Sequence, residues 1–174
     1  MKTTAQPRIL VTGASGLLGR PVLRAFALVR GWNVTGAAFQ RTGPGLECVD
    51  LSQPDRIPAF LDRLSPSVII HSAAERRPDV SERDPEGTQR LNVDATSVIA
   101  HWAAQHDAFI IYLSTDYVFD GTCAPYRPDD TPHPLNTYGM SKLAGEGSVL
   151  TAGGPAAILR VPILYGQVET LKGG

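Results

Sequence analysis

The sequence predicts an α/β fold, a doubly wound parallel sheet, on three observations. Short apolar runs rich in β-branched residues recur along the chain, among them Ile9-Leu10-Val11-Thr12 and Val68-Ile69-Ile70. Between most of them stand stretches whose apolar residues recur at three- and four-residue steps, the helical period. The first run passes directly into glycines at 13, 16 and 19 and then into such a stretch. Alternating strands and helices imply a parallel sheet with right-handed crossovers and helices on both faces.

Met1 to Gln6 reads as a loose tail. The first strand ends at Thr12. After the glycine turn, Leu17, Leu18, Val22, Leu23 and Phe26 form a helix face, with Gly31 its stop after about Arg30. Trp32 to Phe39 is the second strand and Leu46 to Asp50 the third. Ser52 can cap a helix carrying Pro54 in its first turn and Ile57, Phe60, Leu61 and Leu64 on its face. Ser67 to His71 is the fourth strand. Glu75 to Arg83 is highly charged, contains Pro78, and reads as a loop. Asp84 and Pro85 open a long helix with Leu91, Ala95, Val98, Ile99 and Trp102 on one face. Ala108 to Leu113 is the fifth strand and leads to Ser114-Thr115-Asp116. A proline-rich loop, Gly121 to Asn136, precedes a helix over Tyr138 to Leu150. Gly153-Gly154-Pro155 ends it, Ala156 to Val161 is the sixth strand, and Pro162 to Gly174 trails off.

Composition narrows the function classes. The 174 residues suffice for one domain with a core, here residues 1–174 taken together. A net charge of −1 and 43% hydrophobic residues argue against disorder, a nucleic-acid partner and a membrane surface. No apolar run approaches the ~20 residues of a membrane span, and the N-terminus lacks the apolar core of a signal peptide. Cys48 and Cys123, far apart, read as free thiols in a reducing compartment, hence a cytoplasmic protein. His71, His101, His106 and His133 have no zinc-ligand spacing with either cysteine, so no metal is expected.

The chemistry sits at strand ends. A glycine turn between strand and helix lets the backbone approach a pyrophosphate, and the helix aims its free N–H groups at the phosphates. The spacing is G-x-x-G-x-x-G, and an ordinary glycine-rich βα turn has the same look. At the end of the second strand stand Gln40-Arg41, where an NAD-preferring protein would carry Asp or Glu. Arg41, with Arg20 after the third glycine, suits a 2′-phosphate and hence NADP; solvated surface arginines are the alternative. Asp50 could meet a bound adenine or simply form a turn. Ser72-Ala73-Ala74 leaves space for a ligand at the sheet's carboxyl edge. Tyr138 and Lys142, at i and i+4, share a helix face. An ammonium nearby would lower a tyrosine pKa from near ~10 toward the range of acid–base work. Thr115 or Ser114 could then hold a carbonyl oxygen while Tyr138 protonates it.

At these residues the chain resembles the extended short-chain dehydrogenase/reductases, which carry a Rossmann-like sheet. Ser114-Thr-Asp-Tyr-Val-Phe-Asp-Gly121, Pro134-Leu-Asn-Thr-Tyr-Gly139 and Lys142-Leu-Ala-Gly-Glu146 are similar to motifs of the dTDP-4-dehydrorhamnose reductase group. Ala73-Ala-Glu-Arg-Arg-Pro-Asp-Val80, Leu91-Asn-Val-Asp-Ala95 and Arg160-Val-Pro-Ile-Leu-Tyr-Gly166 resemble a branch of it, the regulatory β subunits of methionine adenosyltransferase. The resemblance implies a cofactor, NADP(H), bound by Gly13, Ser15, Gly16, Leu17, Leu18, Gly19 and Arg20, with Arg41 on the 2′-phosphate. Asp50 and Leu51 would border the adenine, Ala73 and Ala74 the ribose, and Val161, Pro162 and Ile163 the nicotinamide. Thr115, Tyr138 and Lys142 would be the catalytic triad, Tyr138 and Lys142 also touching cofactor, with Asn92 as helper; alignment on Val-Phe-Asp-Gly favours Thr115 over Ser114. Two functions follow as expectations. One is an NADP-binding regulatory protein whose partner is a methionine adenosyltransferase catalytic subunit. The other is a reductase acting on a nucleotide-sugar ketone. The family's C-terminal substrate lobe has no counterpart in these 174 residues, so a truncated form, an isoform or a piece of a longer chain is expected, with apolar surface left at the open edge of the sheet.

Overall fold

The computed structural model describes residues 6–40 and 43–164. Six strands form one sheet: β1 (Arg8–Thr12), β2 (Asn33–Ala38), β3 (Leu46–Cys48), β4 (Val68–His71), β5 (Phe109–Thr115) and β6 (Ala156–Val161). All neighbours are parallel and the order is β3-β2-β1-β4-β5-β6. The order reverses between β1 and β4, which makes the sheet Rossmann-like and puts a crevice at the carboxyl ends of those strands.

Helices α1 (Gly19–Ala27), α2 (Ile57–Leu64), α3 (Pro78–Arg83), α4 (Pro85–Gln89), α5 (Ala95–Gln105) and α6 (Thr137–Ala152) connect the strands. The two sheet faces are unequally covered. On one, Leu10, Ile69, Ile110 and Tyr112 pack against residues of α2, α5 and α6 such as Ile57, Leu61, Ile99 and Val149. On the other, Ile9, Val11 and Ile70 meet Val22, Leu23 and Phe26 of α1. Among the described residues no helix is long and apolar enough to cross a membrane.

Several element boundaries depart from the sequence reading. Helix α1 stops at Ala27, three residues short of Arg30, before Gly31 at φ +83°. Ser52 does not cap α2: its N–H and hydroxyl both turn back to Asp50, and a 3₁₀ turn over Pro54–Arg56 leads into the helix. The expected loop from Glu75 to Arg83 contains helix α3. Pro78 supplies its first position, where no backbone donor is needed, and Arg83 pairs with Asp79 one turn earlier at 2.7 Å. The long helix from Pro85 is interrupted by a π turn over Arg90–Asp94. Asp84 caps its start, as expected, accepting from the Gly87 N–H at 2.9 Å.

Candidate functional site

Thr12 organises the floor of the crevice. Its hydroxyl hydrogen-bonds with His71 Nδ1 at 2.7 Å and accepts the N–H groups of Ser72 and Ala73 at 3.1 and 3.2 Å. The chain after β4 is thereby drawn against the chain after β1. Gly13, at φ +64°, is the point of contact, and a Cβ there would stand 2.8 Å from the Ala73 nitrogen. A Cβ at Gly19 would collide with the Gly13 carbonyl, so the first turn of α1 sits directly on the glycine turn. No side chain caps α1 and no acidic residue lies in its first turn, which leaves its positive end facing the crevice. A cradle this close to backbone fits a pyrophosphate.

Above this floor lies a cleft of about 550 Å³. Gly13, Ser15, Gly16, Leu17, Leu18 and Gly19 line one part of it, Asp50 and Leu51 stand just after β3, and Ala73 and Ala74 after β4. Thr115, Tyr138, Lys142, Pro162 and Ile163 complete the expected set. Asp50 does both things open to it: it lines the cleft and forms a turn. Its carboxyl accepts from Ser52 and Gln53, and those hydrogen bonds hold it below the usual carboxylate range against the opposing effect of burial.

Among the described residues, two of the expected set, Arg20 and Asn92, are not in the lining. Arg41 lies outside the described residues. Arg20 stands in the first turn of α1, behind the glycines. Asn92, in the π turn, is fully buried and acts from behind the wall. Its side chain accepts the Glu75 N–H at 2.8 Å and donates to the Glu75 carbonyl and to Ser141, both at 3.0 Å. It braces the chain after β4 against α6.

Helix α6 brings Tyr138 and Lys142 to the cleft. Asn136 caps it, accepting the Gly139 N–H at 2.8 Å, so Tyr138 lies in its first turn and Lys142 one turn on. The edge of the Tyr117 ring meets Tyr138, 5.8 Å between centroids. The sequence reading had Lys142 lowering the Tyr138 pKa. Instead burial holds the phenol above its ordinary value, with a hydrogen bond to Thr115 opposing. The Lys142 amine lies over Tyr112, 4.0 Å from the ring centroid, and burial pulls its pKa down to about 7 while Glu146 opposes the fall. The ammonium that was to assist Tyr138 is thus itself weakened by burial.

Ser114 and Thr115, the last two residues of β5, both line the cleft, and the Thr115 hydroxyl donates to Asp116 and accepts the Tyr117 N–H, both at 3.2 Å. Ser114 donates to buried Glu146 at 2.5 Å, and Glu146 also takes a two-pronged contact from Arg160 at 2.7 and 3.0 Å. The sequence reading left out several lining residues, notably Phe39, Ser52, Arg76, Leu91, Asp116 and Tyr117. Most stand one to five residues past a strand end, and that position is the signal that could have found them. Among the described residues no group of three or more His, Cys, Asp or Glu could hold a metal ion.

The model of the RmlD substrate binding domain matches residues 7–171. Methionine adenosyltransferase 2 subunit beta of Xenopus laevis is 50% identical over 170 residues, covering 98% of this chain and 51% of the relative. A dTDP-4-dehydrorhamnose reductase of Aggregatibacter actinomycetemcomitans is 33% identical over 161 residues, 92% of this chain and 52% of its own length. The crystal structure of the dTDP-4-dehydrorhamnose reductase of Bacillus anthracis, in complex with NADP, matches with a TM-score of 0.79 at 27% identity, over 95% of this chain and 56% of that one. The chain spans about half the length of the curated relatives it matches.

Proposed function

The chain belongs to the family of the RmlD substrate binding domain, and from that premise we propose that it is an NADP-binding protein of the regulatory β-subunit type, which associates with a methionine adenosyltransferase catalytic subunit and so serves S-adenosylmethionine synthesis. The observation that carries this reading is 50% identity to such a subunit across 98% of the chain. Residues 1–174 act in it as the nicotinamide-binding domain. The glycine cradle fits the cofactor's pyrophosphate, and a related reductase is known with NADP. Arg41 supplies the preference for the 2′-phosphate, and loss of that charge-assisted contact in Arg41→Ala is expected to cost on the order of 1.5–3 kcal/mol of NADPH binding and leave NADH binding unchanged. Cys48 and Cys123 are exposed free thiols, which suits a cytoplasmic location.

The test is assembly. Mixed with a methionine adenosyltransferase catalytic subunit, a chain extended to the length of its relatives is expected to co-elute with it and to change its activity. No complex would remove this reading.

One observation favours a second reading, a reductase for nucleotide-sugar ketones. Thr115, Tyr138 and Lys142 all face the same cleft. NADPH, when bound, would supply hydride. Tyr138, protonated at neutral pH, would give its proton to the ketone oxygen while Thr115 steadies that oxygen. Tyr138→Phe is then expected to abolish NADPH oxidation with little change in NADPH affinity. An intact protein that oxidises NADPH with no nucleotide-sugar ketone would exclude this activity.

A further inference from the structure

The Lys142 amine is set apart by what does not surround it. The residue is 2% exposed, and its nitrogen lies on the face of Tyr112, 4.0 Å from the ring centroid. Among the described residues no hydrogen-bond acceptor meets that nitrogen. Glu146, one turn on along α6, is engaged elsewhere. One of its oxygens takes the Ser114 hydroxyl and Arg160 Nε, and the other takes Arg160 Nη2 at 2.7 Å. Buried His71, whose ring stays neutral, offers no negative charge.

A desolvated amine with no acceptor and no free counter-ion gains little from holding an extra proton. Burial lowers its pKa to about 7, so a large share of the amine carries a free lone pair at neutral pH. An amine in that state is a nucleophile toward carbonyl carbon. Lys142 also lines the cleft, together with Leu113, Val161, Ile163 and Leu164. Tyr138, one turn earlier on α6, lines it too, and burial keeps its phenol protonated.

We propose that Lys142 is a nucleophile toward small apolar aldehydes and holds them in the cleft as an imine. The proposal goes beyond cofactor binding and requires no hydride. The nitrogen lone pair attacks the carbonyl carbon, and a proton passes from nitrogen to the carbonyl oxygen to give a carbinolamine. Tyr138 protonates that hydroxyl, the C–O bond breaks, and water leaves as the nitrogen lone pair closes the C=N bond. The nitrogen then returns a proton to the Tyr138 phenolate. One water is released and nothing is oxidised or reduced. An aldehyde suits the site because its leaving group is water, and the apolar lining gives its substituent a dry surface.

Trapping with cyanoborohydride, which reduces the imine to a stable secondary amine, tests this. The chain has three lysines, at 2, 142 and 172, so peptide mass mapping locates every adduct. The probes are benzaldehyde and glyceraldehyde, at about pH 7, with Nα-acetyl-lysine in the same mixture as the ordinary amine. Benzaldehyde is expected to modify Lys142 at least about tenfold faster than Nα-acetyl-lysine, which is almost wholly protonated there. Glyceraldehyde, which cannot use the apolar lining, is expected to show a smaller preference for Lys142. Tyr138→Phe should slow the Lys142 adduct by about tenfold or more and leave the Nα-acetyl-lysine adduct unchanged. The proposal is overturned if benzaldehyde leaves Lys142 unmodified or modifies it no faster than the free amino acid. It is also overturned if glyceraldehyde shows an equal preference for Lys142, or if Tyr138→Phe forms the Lys142 adduct at the wild-type rate.

Discussion

Lys142 is only 2% exposed, and its amine has an aromatic face and a carboxylate near it instead of water. Burial disfavours the charged form, so its pKa falls from an unfolded value near ~10.4 to about 7. In the window between those values the unfolded chain holds a proton that the folded chain has released. Stability therefore rises with pH across it, and the burden of the buried amine is largest below about pH 7. Methionine has a similar shape and no charge. Lys142→Met should raise stability over wild type at pH 6, and the gain should shrink by at least ~1 kcal/mol toward pH 10 in denaturant titrations. A gain independent of pH would contradict the assignment. His71 works in the acid range by the same rule. Burial, with Lys142 adding, lowers its pKa to about 3, so the folded imidazole between Thr12 and Thr96 stays neutral. The stability it contributes is present above about pH 6.5 and is lost as the pH falls toward 3.

Helix α6 shows how position within an element decides the effect of a substitution. A Cβ on Gly145 would run into the hydroxyl of buried Tyr112 and come within 3.1 Å of the Asn92 carbonyl, whereas one on Gly147 would meet nothing within 4 Å. Gly145→Ala should destabilise by about 1–3 kcal/mol through overpacking. Gly147→Ala, two residues on, should stabilise by roughly 0.5–1 kcal/mol by removing backbone entropy from the unfolded chain. Both are read from urea unfolding, and the opposite signs are the point of the comparison. The π turn invites a third variant. Asn92→Leu leaves the Glu75 N–H and carbonyl without their partners and should cost roughly 2–4 kcal/mol. Neither the role of Asn92 nor the π turn was legible in the sequence. An apolar face at Leu91, Ala95, Val98 and Ile99 reads as one regular helix, and the extra residue in the turn leaves that periodicity almost intact. Helix α3 was hidden for another reason. Its charge-rich sequence has too few apolar positions to show a period, and its start is set by Pro78 at the first helical position.

At the scale of the molecule, strands and crossovers could be read from local pattern because strands and helices end in turns or caps with their own chemistry. Gly13, Gly153 and Asn136 are examples. The contact of Gly13 with Ala73, 60 residues later, and the bracing of Glu75 by Asn92 could not be read, since they depend on which strands become neighbours. The same topology leaves the sheet unevenly dressed. Helices α2, α5 and α6 cover one face, whereas α1 is the described helix packed on the other. On that face Ile111 and Leu113 are only partly buried, and Leu159, which pairs in register with Leu113, is 48% exposed. Ile163 and Leu164 continue the apolar surface at 56% and 40% exposure. Among the described residues β6 also pairs with β5 alone, and no described strand pairs with its outer backbone edge. An apolar face next to an open edge favours association through that side. The 174-residue chain should therefore show concentration-dependent self-association in sedimentation velocity. Leu159→Lys, which puts a charge on the face and leaves the β5 pairing intact, should shift it toward monomer. Leu28→Lys is the control: Leu28 is 84% exposed, just after α1 and away from β6, and its substitution should change nothing. A monomer at every concentration, or equal effects of the two lysines, would show that the apolar face beside β6 drives no association.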